Sequence, residues 1–195
     1  MIAGTKGAAG ELGKRQNLLI EANVAWLCQG KELLEQIDDA TYTASSRSFS
    51  THRVGGHLRH ILEFYECFLD GMESSHIDYD SRKRDVSLET HRCAALAKID
   101  SIIHALRTER ALLSDRIVWV RMEDAQAVEV SEIFMISSTG RELQTLSSHT
   151  IHHFALIAMT LRAMGYEVDR DFGVAPSTLR YRVAQERAAI PAEAA

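Results

Sequence analysis

Long apolar runs and prolines are both scarce in this chain of 195 residues. No stretch reaches the roughly 18 consecutive apolar residues that a membrane-spanning helix needs, so we expect no membrane association. The sequence has only two prolines. This favours long helices, because a proline inside a helix removes a hydrogen bond and clashes with the preceding turn. The first residues lack the apolar core of a secretory signal peptide, and we expect a cytoplasmic protein.

Cysteine and basic residues are also limited. The three cysteines, Cys28, Cys67 and Cys93, lie in apolar, helix-forming segments, which favours reduced thiols that pack as small hydrophobic side chains. The net charge is −5. Binding to phosphate groups requires a basic surface, so the composition argues against a nucleic-acid partner. A hydrophobic content of 46% is ordinary for one globular domain with a sizeable core.

Apolar residues recur at intervals of three and four, the spacing that places them on one face of a helix. This pattern predicts long helices over about residues 16–38, 51–72, 88–113 and 139–164, with a short helix after Pro176. Residues 117–122 and 127–133 alternate instead, which is typical of two short strands. The sequence therefore predicts an all-α four-helix bundle over residues 16–183. A small two-stranded ribbon or irregular insert precedes the last long helix, and flexible tails cover residues 1–15 and 184–195.

A group of histidines indicates a metal site. His149 and His153 are four residues apart, so both project from one face of the fourth helix, in line with its apolar stripe. Such a pair is a common half-site for a divalent metal, because neutral imidazole is a frequent ligand. His57 lies on the stripe of the second helix and is the best third ligand. His60, one turn further on, remains the alternative, and His52 at the start of that helix is not expected to take part.

Two polar residues on the helix stripes are candidate catalytic groups. Asn23 interrupts the stripe of the first helix and could orient a ligand, although a buried hydrogen bond that fixes the helix register explains it equally simply. Glu142 could act as a base or support a metal ligand. Its alternative role is a capping box with Thr139 at the start of the fourth helix. For an anionic substrate, the candidate binding residues are Arg59, Arg141 and Tyr181. Arg82 and Arg84 in the charged loop could bind the same group, although such a run of charges is more often a solvated surface.

Two longer segments carry a family resemblance. VGGHLRHILEFYECFLDG is similar to the second helix of DinB-like metal-dependent proteins, the superfamily that includes the YfiT-like hydrolases, and STGRELQTLSSHTIHHFALIAMTLRAMG resembles their later metal-bearing helix. The loop IDYDSRKRD and the segment DFGVAPSTLRYR look like one bacterial branch. The resemblance covers about residues 16–182. It implies a four-helix bundle with a metal on three histidines, which by position are His57, His149 and His153.

The resemblance also implies a range of activities. Relatives include metal-dependent hydrolases and thiol-dependent transferases, so we expect a divalent-metal protein, with Zn or Ni as the ion, a small-molecule substrate, and a low-molecular-weight thiol as a further cofactor. A homodimer is also expected. The alternative is a non-catalytic, stress-related or binding bundle whose histidines are structural. The number of protein ligands around the metal distinguishes the two, because a catalytic site keeps an open position.

Overall fold

The computed structural model describes residues 5–46, 52–122 and 133–188. Its helices are α1 (Thr5–Gln36), α2 (Asp39–Thr43), α3 (Val54–Asp70), α4 (Val86–Thr90), α5 (Arg92–Thr108), α6 (Thr139–Ala163) and α7 (Pro176–Ala188). A 3-10 turn covers Arg110–Leu112, and the strands are β1 (His76–Asp78), β2 (Ile117–Arg121) and β3 (Met135–Ser138). The mostly helical fold class predicted from the sequence is confirmed.

The four long helices α1, α3, α5 and α6 form the bundle. α1 packs against α5 and α6, and α3 packs against the same two helices. One continuous core lies between them, and its largest fully buried side chains include Tyr42, Tyr65, Tyr79, Phe68 and Phe154. The apolar stripes read from the sequence therefore face one another, as burial of apolar surface requires.

The helix ends differ from the predicted ones in two places. α1 begins at Thr5, so residues 5–15 are helical where the sequence predicts a tail; the alanine, glutamate, leucine and lysine residues favour a helix there, although the segment also contains three glycines. The predicted third helix is interrupted at His91, whose backbone is extended, and is divided into α4 and α5. The short helix beginning at Pro176 is confirmed. Residues 189–195 lie outside the described residues.

Among the described residues, the small sheet has three strands in the order β1-β2-β3. β2 pairs antiparallel with β3, with Val118 opposite Ser137, and parallel with β1, with Ile77 opposite Val120. The first strand of the predicted ribbon is confirmed as β2. Most of the predicted second strand, residues 127–132, lies outside the described residues, and β3 follows it at Met135–Ser138.

The start of α6 corrects the predicted capping box. Ser138, the last residue of β3, is the N-cap, and its Oγ accepts a hydrogen bond from the backbone N–H of Arg141 at 3.2 Å. The strand runs directly into the helix, so the cap falls one residue before Thr139. Thr139 is buried instead, where its hydroxyl accepts a hydrogen bond from Gln16 Nε2 at 3.1 Å. Glu142 is thereby free for another role.

Candidate metal centre

The contact between α3 and α6 brings histidines from the two helices together. His60 of α3 and His149 and His153 of α6 each place one ring nitrogen within 4.8 Å of the others. The ring centroid of His60 lies 4.9 Å from that of His149 and 4.6 Å from that of His153. The four-residue spacing of the α6 pair aligns the two rings along one helix face, as predicted.

His149 is held on an aromatic surface. Its ring stacks on Phe64 with the centroids 4.1 Å apart, and Phe64 in turn stacks on Tyr79 at 5.0 Å. The Nε2 atom of His149 is buried and has no hydrogen-bond partner in the part of the chain that the structure describes. Burying a polar nitrogen without a partner is costly, so this atom calls for a ligand.

His57 lies on the other side of His153. The Nδ1 atoms of His57 and His153 are 3.0 Å apart, and the Nε2 of His57 is 3.1 Å from the Nδ1 of His52. His57 is thus in direct contact with one member of the group but does not share the compact arrangement of His60, His149 and His153. The structure places His57 and His52 in a chain of imidazoles that leads away from His153.

Burial keeps all four central imidazoles neutral. Burial, together with repulsion from neighbouring histidines, lowers the pKa of His57, His60 and His149 to about 4 and that of His153 to about 3. The charge of Arg82 adds to the shift for His60 and His149. A neutral imidazole has a lone pair to donate, which is the state that a metal ion requires.

The three-histidine group fits a divalent metal. The donor set is purely imidazole nitrogen, which suits zinc and nickel, and one of the donors is the buried nitrogen of His149 that has no partner among the described residues. In a tetrahedral zinc site with bonds of about 2.0–2.1 Å, two ligand nitrogens lie about 3.4 Å apart. The imidazole nitrogens of the group lie within 4.8 Å of one another. The rings would therefore move together by up to about 1.4 Å on ligation.

Arg82 also borders the group, in the loop between β1 and α4. Its Nη1 lies 2.5 Å from the Nδ1 of His60, and its guanidinium carbon lies 5.1 Å from the ring centroid of Phe64. An aromatic face stabilises such a cation. This residue places a positive charge at the edge of the histidine group.

The two candidate catalytic residues take part in buried networks outside the histidine group. Asn23 is fully buried; its Nδ2 donates to the carbonyl oxygens of Leu19 and Leu143, and its Oδ1 accepts from the Tyr65 hydroxyl at 2.7 Å. These bonds use its whole amide and tie α1 to α3 and α6. Glu142 fixes the sheet and the loop to α6.

The Glu142 carboxylate accepts two hydrogen bonds. One comes from the Tyr79 hydroxyl at 2.9 Å and the other from the Ser137 hydroxyl at 2.5 Å. Tyr79 follows β1 and Ser137 belongs to β3, so one carboxylate joins both edge strands to the helix. Tyr79 also stacks on Phe64. Through this ring Glu142 supports the surface on which His149 lies.

The three candidate substrate-binding residues do not converge. Arg59 pairs with Glu89 at 2.6 Å, and its charge reaches the neighbouring His60. Arg141 is exposed, and Tyr181 on α7 has 64% of its surface exposed. Within the described residues, no contact joins Arg141 or Tyr181 to the histidine group.

Comparison with known proteins identifies the family. A family model described as the DinB family matches residues 15–176. The chain belongs to the DinB family. None of the described helices of this DinB-family chain combines the length and apolar character needed to cross a membrane. No solved structure matches it.

A curated relative of this DinB-family chain is the FK506-binding protein 5 of Rhizopus delemar. The two are 34% identical over 105 residues, which cover 54% of this chain and 27% of the relative. The chain therefore spans about a quarter of the length of the curated relative that it matches. That extent of similarity carries no assignment of activity.

The sequence reasoning missed two residues around the site. His52 contacts His57, and Phe64 supports His149. Phe64 was visible only as a member of an apolar stripe. Arg82, which meets His60, was considered for anion binding as part of the charged run RKRD but was not placed beside the histidines. The one available signal was the repeated histidine at positions 52, 57 and 60, which concentrates imidazoles near the start of the second helix.

Proposed function

We propose that this DinB-family chain binds one divalent metal ion through His60, His149 and His153. The observation that carries the proposal is the buried Nε2 of His149, which has no hydrogen-bond partner among the described residues and belongs to a compact group of three imidazoles. Their low pKa values add support, because they keep the rings neutral at physiological pH.

His60 is favoured over His57 as the third ligand because only His60 shares the compact group with both histidines of α6. His57 then contacts the ligand His153 without binding the ion itself. If His153 binds the ion through Nε2, its Nδ1–H donates to the Nδ1 of His57, and the Nε2–H of His57 donates to the Nδ1 of His52. Such outer hydrogen bonds fix the tautomer and the orientation of a ligating imidazole.

The reaction class that fits this donor set is hydrolysis or thiol transfer on a small molecule. Three protein ligands leave a position open for a substrate, water or low-molecular-weight thiol. A zinc or nickel ion held there would act as a Lewis acid and lower the pKa of a coordinated water or thiol. The chain's own residues orient the ligands: Phe64 holds the His149 ring, and His57 holds His153.

Metal titration of single-histidine variants tests the ligand set. Wild-type protein prepared without a histidine tag is expected to bind about one zinc per chain in a calorimetric titration. His60→Ala should abolish most binding, because two imidazoles form a weak site. His57→Ala should weaken binding by about 10- to 100-fold, as loss of an outer hydrogen bond does.

His104→Ala is the matched control, since His104 is exposed on α5 and should leave binding unchanged. Full binding by His60→Ala, with loss of binding in His57→Ala, would restore His57 as the ligand. A wild-type chain that takes up neither zinc nor nickel would refute the proposal.

A further inference from the structure

Arg82 occupies a position that conflicts with metal binding. Its Nη1 lies 2.5 Å from the Nδ1 of His60. A guanidinium is always protonated and only donates hydrogen bonds, so the Nδ1 of His60 must be the acceptor here. A neutral imidazole with Nδ1 as acceptor carries its proton on Nε2. In this state His60 has no lone pair left for a metal ion.

Metal binding therefore removes the hydrogen-bond acceptor from Arg82. If His60 ligates through Nε2, its proton moves to Nδ1, and two donors then face each other. If it ligates through Nδ1, the ion takes the lone pair that Arg82 uses. The cation lies beside the guanidinium in the second case and across one imidazole ring from it in the first. In both cases the two positive charges repel each other, and a negative charge between them would offset the repulsion.

Among the described residues, no ion pair supplies that negative charge to Arg82. Its Nε is buried without a hydrogen-bond partner in the same part of the chain. Three carboxylates on neighbouring segments have other partners: Asp78 pairs with Arg121, Glu89 pairs with Arg59, and Glu63 accepts the backbone N–H of Asp85.

The loop that carries Arg82 is also held in place. Before Arg82, the buried Tyr79 donates to Glu142 and stacks on Phe64. After it, the backbone N–H of Asp85 donates to the Glu63 carboxylate at 2.6 Å, and Glu63 is buried on α3. With both ends of the loop attached to the bundle, the backbone of Arg82 stays close to the site, and the Phe64 ring remains a contact for its guanidinium when His60 is lost.

We propose that the open metal position takes an oxyanion, a carboxylate or phosphate group of the substrate, which bridges the metal ion and Arg82. The planar guanidinium suits either group, because two parallel N–H donors match two oxygens. Arg82 is thus a specificity-determining residue that selects an anionic ligand. This inference rests on the proposed metal site.

Anion titration of the cobalt-loaded full-length protein tests the proposal. Co²⁺ replaces the native ion, and its visible ligand-field absorption reports any change in the ligands. Acetate and inorganic phosphate are added separately, in a sulfonate buffer without competing anions. In the wild type at least one of the two should shift the spectrum saturably, and the anion with the lower dissociation constant identifies the substrate group.

Arg82→Gln is expected to weaken this anion binding by about tenfold or more, the factor that a lost charge-assisted hydrogen bond carries. It should also bind Co²⁺ more tightly than the wild type in anion-free buffer, because His60 no longer has a competing partner. Arg84→Gln, which removes the same charge from an exposed position, should change the anion affinity by less than about twofold. Arg82→Lys, which keeps the charge but not the planar fork, should recover part of the affinity.

The outcomes separate this inference from the proposed function. A chain that takes up no Co²⁺ overturns both. Normal Co²⁺ uptake with equal anion affinity in the wild type and in Arg82→Gln overturns the role of Arg82 and leaves the metal site standing. Circular dichroism checks that each variant is folded. If Arg82→Gln does not fold, the anion affinity of Arg82→Lys is compared with that of the wild type instead.

Discussion

Acidification should destabilise the metal-free protein well before its carboxylates titrate. Four half-buried imidazoles have pKa values of about 4 or lower in the folded chain, against 6.5 for a free histidine. Between these values the unfolded chain binds more protons than the folded chain. The free energy of unfolding is therefore at its full value above about pH 6.5 and falls as the pH drops through this window.

The magnitude follows from the shifts. For one histidine with a pKa of 6.5 unfolded and about 4 folded, lowering the pH from 7 to 5 removes about 2 kcal/mol. Four such groups give an upper limit of about 7 kcal/mol by the same relation. Because the rings are only partly buried and solvent screens their charges, we expect about half of this, roughly 3–4 kcal/mol. That loss is large beside the total stability of an ordinary domain.

Urea denaturation of the chelator-treated protein at several pH values measures the effect. His153→Gln, which removes the group with the lowest pKa, should reduce the decline between pH 7 and 5 by about 1 kcal/mol after the same discount. His104→Gln, at an exposed position of α5, should leave the decline unchanged. A free energy of unfolding that stays constant from pH 7 to 5 would show that these imidazoles are not held neutral by burial.

Three further predictions concern packing, a buried hydrogen bond and the metal. Gly55→Ala should lower the free energy of unfolding by about 3 kcal/mol or more in urea denaturation, because its Cβ would overlap the backbone carbonyl oxygen of Glu89. Gly56→Ala is the control, because its Cβ meets nothing closer than 3.9 Å. Equal free energies of unfolding for the two variants would contradict the packing around Gly55. Tyr65→Phe should cost about 1–2 kcal/mol in the same assay by leaving the buried Asn23 oxygen without its donor, and a neutral effect would count against that bond. A chelator should lower the melting temperature at pH 7.5, because the metal stabilises the folded state to which it binds. The far-UV circular dichroism of the cooled protein should remain helical, since the apolar core does not need the metal. Unfolding on addition of the chelator would show that the metal is required for the fold.

The sequence predicts the long helices well because their signal is local. Each amphipathic stripe is complete within its own helix, and burial follows from it. The interruption at His91 has a non-local cause. On one side of it the Tyr42 hydroxyl donates to the carbonyl oxygen of Leu88, and on the other Arg92 donates to the carbonyl oxygen of Leu34. Both partners come from distant parts of the chain, so the pattern around His91 contains no sign of the break.

The same contrast applies to the candidate site. The α6 pair is readable from a four-residue spacing, whereas the choice between His57 and His60 depends on how α3 is rotated against α6. Residues three apart lie on neighbouring parts of one helix face, so the sequence of α3 alone leaves both open. Arg82 is harder still, since its place beside His60 is set by the anchors of its loop, Tyr79 and the Asp85 backbone.

The cost of the histidine group favours a ligand over a structural role. A core filled with apolar side chains gains stability from burial, whereas four neutral imidazoles in the same place lose stability on mild acidification. One of their nitrogens, the Nε2 of His149, also lacks a hydrogen-bond partner within the described residues. An arginine beside them adds repulsion once a cation binds. A metal ion bound to the neutral rings offsets the first two of these costs, and a negatively charged group bound beside it offsets the third.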